Sequence, residues 1–208
     1  VSESSVGAPG ALLVIVSGPS GVGKDTVIDA FRKSDPGRDG PLFHVVTSTT
    51  RSRRDGEIEG VSYDFLAPAE FEAIRDAGGF LEHAEVHGNW YGTPRAAVAA
   101  ALAAGRDVML KIDVQGAAAV KERVPDALLV FLVPPTLEEL FERLVARATE
   151  TADELEVRQR NAAIELARAG DYDYLVVNET GEVTRTAARI ADIMRIEKRK
   201  HPTRRIAV

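Results

Sequence analysis

Four stretches of the chain are dominated by consecutive apolar residues: ALLVIV (11–16), DVMLKI (107–112), ALLVFLV (127–133) and YLVV (174–177). A strand with one wet face alternates apolar and polar residues, so these unbroken runs suit strands covered on both faces of a parallel sheet. Between them the spacing becomes helical, as βαβ crossovers require. Val27, Ile28 and Phe31 share one face of KDTVIDAFRK. TPRAAVAAALAAG carries a Thr cap, a proline in the first turn and a closing glycine, which predicts a helix over 94–104. In TLEELFERLVAR, Thr136 and Glu139 have capping-box spacing, and an amphipathic, charged helix is predicted over 182–199.

The pattern changes between residues 43 and 92. FHVVTSTTR, VSYDFL and FLEHAEVHGNWYG are short, alternate more and are separated by charged or glycine-containing turns, which predicts a small, mostly β lobe inserted into the α/β core. A polar excursion, RATETADELEVR (147–158), links two helical patterns. The expected organisation is a loose tail over 1–10 and one domain over 11–208. Its core comprises 11–42, 93–146 and 159–208, the lobe 43–92 and a lid 147–158.

Composition narrows the function. With 208 residues, 45% of them hydrophobic, the chain can bury a substantial core. A net charge of −6 argues against a general nucleic-acid surface, so an anion site must be local. The absence of cysteine excludes disulfides and thiolate chemistry and fits a cytoplasmic protein. ALLVIV is too short to span a bilayer and no basic segment precedes it, so neither a membrane helix nor a signal peptide is expected.

The first predicted strand runs into VSGPSGVGKDTV (16–27) and then a helix. Gly18, Gly23 and Lys24 match G-x-x-x-x-G-K-[ST], in which backbone N–H groups cradle phosphates at a helix N-terminus and the lysine reaches the β- and γ-phosphates. The setting predicts an α/β fold of P-loop NTPase type, a parallel sheet flanked by helices, with Ser20, Gly21, Val22, Gly23, Lys24, Asp25 and Thr26 around the triphosphate. Asp25 stands where the motif expects a hydroxyl. Thr26 supplies one a residue later, and a carboxylate also suits magnesium, so Asp25 and Thr26 are both candidates for this hard cation.

The acceptor side is written in TSTTRSRRDGEIEGVSYDF. Arg51 and Arg54, with Tyr63 beyond them, offer donors to a phosphate dianion, and Glu57 is placed to hold the arginines. The chain here closely resembles guanylate kinase, whose pattern T-T-R-x-x-R-x-G-E-x-x-G-x-x-Y-x-F is met at Thr49, Thr50, Arg51, Arg54, Gly56, Glu57, Gly60, Tyr63 and Phe65. The likeness continues through GGFLEHAEVHGNWYGT, LKIDVQG, FLVPP, RLVARATET and YDYLVVN, nearly the whole chain after residue 11.

The resemblance implies magnesium-dependent transfer of the ATP γ-phosphoryl group to GMP or dGMP, by a monomer or homo-oligomer. It further implies that Arg51, Arg54, Tyr63 and Tyr91 hold the GMP phosphate, with Glu57 nearby. Thr47, Glu82, Thr93 and Asp113 read guanine, with Gly92 alongside. Arg143 and Asn178 belong to the ATP site, and Arg147 and Arg158 to a lid that closes over the transferring group, acting catalytically with Lys24. Carboxylates accept from guanine N1–H and the 2-amino group, and hydroxyls donate to O6, a pattern adenine does not present.

Asp25 departs from the commoner family pattern, as does Lys111, which stands where a carboxylate often precedes the guanine-reading aspartate. The expectation is that the two are linked, a carboxylate having moved from strand to loop with Lys111 facing it. Three rival readings are weaker. A ribose 1,5-bisphosphate kinase-like enzyme shares the G-K-D loop but has no need of the guanine-reading block. A non-catalytic guanylate-kinase-like binding module typically has a damaged loop, whereas Lys24 is kept. His83 and His87, four apart on a strand and turn, lack a third metal ligand.

Overall fold

A computed structural model describes residues 6–34, 42–86, 88–146 and 152–208. Its centre is a five-stranded sheet. The strands β1 (Leu13–Ser17), β2 (Phe43–His44), β7 (Val108–Lys111), β8 (Leu128–Val133) and β9 (Tyr174–Val177) lie in the order β2-β7-β1-β8-β9, with all pairings parallel. The central strand β1 is buried along its whole length. Side chains alternate between two apolar layers: Val14 and Val16 join Val27, Phe31 and Ile190 on one side, while Leu13 and Ile15 join Val98, Leu102 and Val120 on the other. The continuous apolar runs therefore report burial on both faces. YLVV is the exception, because β9 is an edge and leaves Leu175 57% and Val177 48% exposed.

Helices α1 (Lys24–Ser34), α3 (Arg95–Ala103), α4 (Val114–Arg123), α5 (Leu137–Ala146), α6 (Ala152–Leu166) and α7 (Val183–Lys200) surround this sheet. The lobe is a second sheet in the order β4-β3-β6-β5, made of β3 (Ser48–Thr49), β4 (Asp64–Phe65), β5 (Phe80–Val86) and β6 (Asn89–Pro94), with helix α2 (Pro68–Asp76) alongside. Phe71 of α2 stacks on Phe80 at 4.4 Å between ring centroids and gives the lobe a small core of its own.

Several expectations shift. Phe43–His44, read as the start of the lobe, pair with Val108 and Met109 and so close one edge of the core sheet. Residues 6–10 are tied down: Val6 bridges Ala207, and the Gly7 and Ala8 N–H groups donate to Ile206 and Leu102 carbonyls, each at 2.8 Å. Residues 1–5 of the expected tail lie outside the described residues. The Thr93 hydroxyl does not cap α3, whose N-cap is Pro94, because it is engaged by Glu82. Thr136 does cap α5 through the Glu139 N–H at 3.1 Å. Arg147 and residues 148–151 of the expected lid, and His87, lie outside the described residues, and residues 152–158 of it form the first half of α6. Among the described residues no helix is long and apolar enough to cross a membrane.

Candidate active site

The loop after β1 turns back on itself at Gly18, where φ is +147° and an added Cβ would sit 2.5 Å from the Leu132 carbonyl oxygen. Backbone cannot yield that distance, so only glycine fits. The Lys24 ammonium folds over the turn and donates to the carbonyls of Gly18 (2.6 Å) and Pro19 (3.1 Å). Burial pushes its pKa below the ordinary lysine value, while the carboxylates of Glu165 and Asp25 oppose that shift. Arg143 and Asn178 brace the loop from behind. Asn178 Nδ2 donates to the Val22 carbonyl at 2.7 Å, and Arg143 reaches the same carbonyl at 3.4 Å and the Asn178 carbonyl at 3.0 Å. Thr186 in turn donates to Asn178 Oδ1 at 3.0 Å, so this amide is fixed on both sides.

Asp25 and Thr26 stand exposed in the first turn of α1. Lys111, at the end of β7, donates to Asp25 Oδ1, as the sequence suggested. Among the described residues no group of three or more His, Cys, Asp and Glu side chains could hold a metal by itself. One hydroxyl and one carboxylate are nevertheless a donor set that suits magnesium, which keeps several waters and binds mainly through phosphate oxygens.

Across a cleft of about 460 Å³, lined among others by Asp25, Thr47, Tyr63, Thr93 and Lys111, lies the lobe. Glu57 organises its basic turn: Oε1 accepts from Arg51 Nη2 at 2.7 Å and Oε2 from the Arg54 N–H at 2.8 Å. The Arg51 guanidinium lies 5.5 Å from the Tyr63 ring centroid, and the Tyr63 and Tyr91 rings meet edge-on at 6.0 Å. Glu57 before all else, with Tyr91 adding to it, raises the pKa of Arg51. A planar cation beside two phenols has the chemistry to receive a phosphate dianion. Arg54 is exposed at its rim.

Deeper in the cleft, Thr93 Oγ1 donates to Glu82 Oε1 at 2.5 Å. Glu82 is buried and its pKa is raised, first by desolvation, with Thr93 and Arg123 pulling the other way. Asp113 caps α4 by accepting from the Gly116 N–H at 2.7 Å. A Cβ on Gly116 would lie 3.1 Å from Glu82 Oε2 and 3.3 Å from Asp113 Oδ1, so the glycine is what lets the two carboxylates converge. Thr47, Tyr63 and Thr93 of the lobe thus line the same cleft as Asp25 of the loop helix and Lys111, with Glu82 hydrogen-bonded behind Thr93.

The guanylate kinase family model matches residues 11–197. The chain belongs to the guanylate kinase family. Relatives named guanylate kinase include those of Chelativorans sp. (strain BNC1), 44% identical over 93% of this chain and 86% of that one, and of Clostridioides difficile (strain 630), 42% identical over 91% and 89%. The crystal structure of guanylate kinase from Anaplasma phagocytophilum superposes with a TM-score of 0.69 at 32% identity, covering 90% of this chain and 86% of that one.

One residue of this family member escaped sequence reasoning. The carboxylate of Glu165, on α6, accepts from the Ser20 N–H at 2.9 Å, inside the phosphate-binding loop itself. Nothing in the sequence distinguishes Glu165 from the other acids of a charged helix, because the contact spans 145 positions.

Proposed function

We propose that the protein transfers the γ-phosphoryl group of ATP to GMP, and to dGMP, giving ADP and GDP or dGDP. The observation that carries this reading is the convergence of Glu82 and Asp113 beside Thr93, which lines one cleft together with Tyr63 of the Arg51–Glu57–Tyr63 cluster. Guanine presents two adjacent N–H donors to such carboxylates and an O6 acceptor to the hydroxyls of Thr47 and Thr93. A wrong base leaves these groups unpaired, Glu82 and Thr93 among them buried, which discriminates strongly. Arg51, Arg54, Tyr63 and Tyr91 hold the acceptor phosphate.

The attacking atom is an already anionic phosphate oxygen of GMP, so no strong general base is required. Lys24 and the loop N–H groups from Gly21 to Thr26 seat the donor, and Arg143 and Asn178 hold that loop in shape. Arg147 and Arg158 neutralise charge on the transferring group as the lid closes and water, the competing acceptor, is excluded. Asp25 and Thr26 would hold magnesium, which would supply further charge neutralisation on the phosphates. A cytoplasmic site of action fits these substrates.

The test is ADP release with MgATP and, in parallel, GMP, dGMP, AMP, UMP and ribose 1,5-bisphosphate. Turnover with the guanine nucleotides alone is expected. Turnover with ribose 1,5-bisphosphate, or ATP binding without any turnover, would replace this reading with the sugar-phosphate kinase or the binding module.

A further inference from the structure

The helices on either side of residues 147–151, α5 and α6, both grip the loop after β1, with opposite chemistry. From α5, the Arg143 guanidinium reaches the Val22 carbonyl at 3.4 Å. From α6, the Glu165 carboxylate accepts from the Ser20 N–H at 2.9 Å. Glu165 also contributes the largest stabilising charge to the Lys24 ammonium, ahead of Asp25. On α6, Glu165 follows Arg158 by seven residues, two helical turns or about 10 Å along the axis, so the two side chains leave the same face of one rigid rod.

We propose that Glu165 is a positioning residue: it pins α6 to the donor loop, so that the reach of Arg158 toward the transferring phosphoryl group is measured from the loop itself. The proposal rests on the reading of this loop as the triphosphate site. A lid arginine on an unpinned helix would close over a variable point, and small misplacements of charge in phosphoryl transfer are costly. The Ser20 N–H is committed to Glu165, which leaves the donors from Gly21 onward for phosphate.

Three variants of the full chain separate this role from alternatives. Glu165→Gln keeps an acceptor oxygen of the same reach. Glu165→Asp keeps the charge but is one methylene too short, and Glu165→Ala removes both. The readouts are hydrogen exchange of the loop amides in the nucleotide-free protein, affinity for a non-hydrolysable MgATP analogue, and the division of any loss between kcat and the KM for GMP. Ala and Asp are expected to expose the loop amides and lower kcat about tenfold with the GMP KM within twofold of the parent, whereas Gln restores both. Should the Ala variant fail to fold, the Asp and Gln pair decides. Unchanged loop exchange and kcat in the Asp variant overturn the proposal. So does tighter analogue binding by Ala or Gln, which would make Glu165 an internal anion competing with the triphosphate. Failure of the parent protein to bind the analogue would instead remove the underlying reading of the loop.

Discussion

Lys111, at the C-terminal end of β7, is ion-paired with Asp25, in the first turn of α1, 86 positions away in the chain. The pair joins the strand that leads to Asp113 with the loop that carries Lys24. Its side chains are 39% and 69% exposed, so it adds little to stability; exposed pairs contribute about 0–1 kcal/mol. Its consequence is local charge: one carboxylate and one ammonium stand together at the proposed magnesium position.

That arrangement predicts non-additive behaviour. Lys111→Asp places a second carboxylate against Asp25 and should lower kcat/KM for MgATP at least tenfold, roughly 1.4 kcal/mol, while raising the magnesium concentration needed for half-maximal rate. Asp25→Ser leaves Lys111 as an uncompensated cation and should also cost activity. The double variant, with its single carboxylate on the strand, should recover most of the loss, and melting temperatures should stay within a few degrees throughout. Strictly additive losses in the double-mutant cycle would show that the two positions act independently.

Glu82 sets activity against stability. Its carboxyl is buried and its pKa is raised, chiefly by desolvation. A group whose folded pKa is raised favours the folded state most when protonated, and that advantage is lost as pH rises through the folded value. Raising the pH from acid toward neutral therefore costs the parent stability that Glu82→Gln does not lose, so the variant is expected to melt no lower than the parent at neutral pH, with any gain vanishing in acid. On the proposed reading, the same substitution replaces a carboxylate acceptor for guanine with a neutral amide. Loss of one charge-assisted hydrogen bond, about 1.5–3 kcal/mol, corresponds to roughly a 10- to 150-fold rise in the GMP KM. A lower melting temperature at neutral pH, or an unchanged KM, would contradict this account.

What the sequence made legible divides by range. The four apolar runs, the glycine-rich loop and the Thr136 cap were readable because each is a local pattern. Four of the five core strands coincide with the apolar runs, β1 extending one residue beyond its run, whereas β2 is only two residues long and became part of the core sheet through pairing with β7. Helix α2 was submerged in the alternating texture of the lobe, and the edge position of β9 was invisible because edge and centre differ in neighbours. The link between Asp25 and Lys111 was readable as two compensating oddities. The contact of Glu165 with Ser20 was not, since a carboxylate on a charged helix carries no mark of the N–H it meets.

Glu197 shows how the C-terminal helix is fastened, and it gives a prediction independent of catalysis. Its carboxylate is 8% exposed and receives hydrogen bonds from the Tyr174 hydroxyl at 2.8 Å, Arg204 Nη2 at 3.1 Å and Lys200 Nζ at 3.3 Å. Burial by itself would raise its pKa, but these three donors together hold it below the ordinary glutamate value. A depressed carboxyl contributes stability that is complete above the ordinary glutamate pKa and disappears as pH falls through the lower folded value. Glu197→Gln should therefore cost about 1–3 kcal/mol at pH 7, or ~2–12 °C in melting temperature for a chain of this size. The deficit should shrink as the pH is taken below the ordinary glutamate range, because the parent carboxylate is then protonated as well. Thermal melts of both proteins from pH 7 down to pH 3 measure this directly. Since Tyr174 lies on β9 and Arg204 beyond α7, the lost contacts should loosen the sheet edge and the C-terminal segment together while leaving the GMP KM unchanged. A deficit that stays constant with pH would mean that the hydrogen bonds matter for shape alone and that the charge of Glu197 contributes nothing.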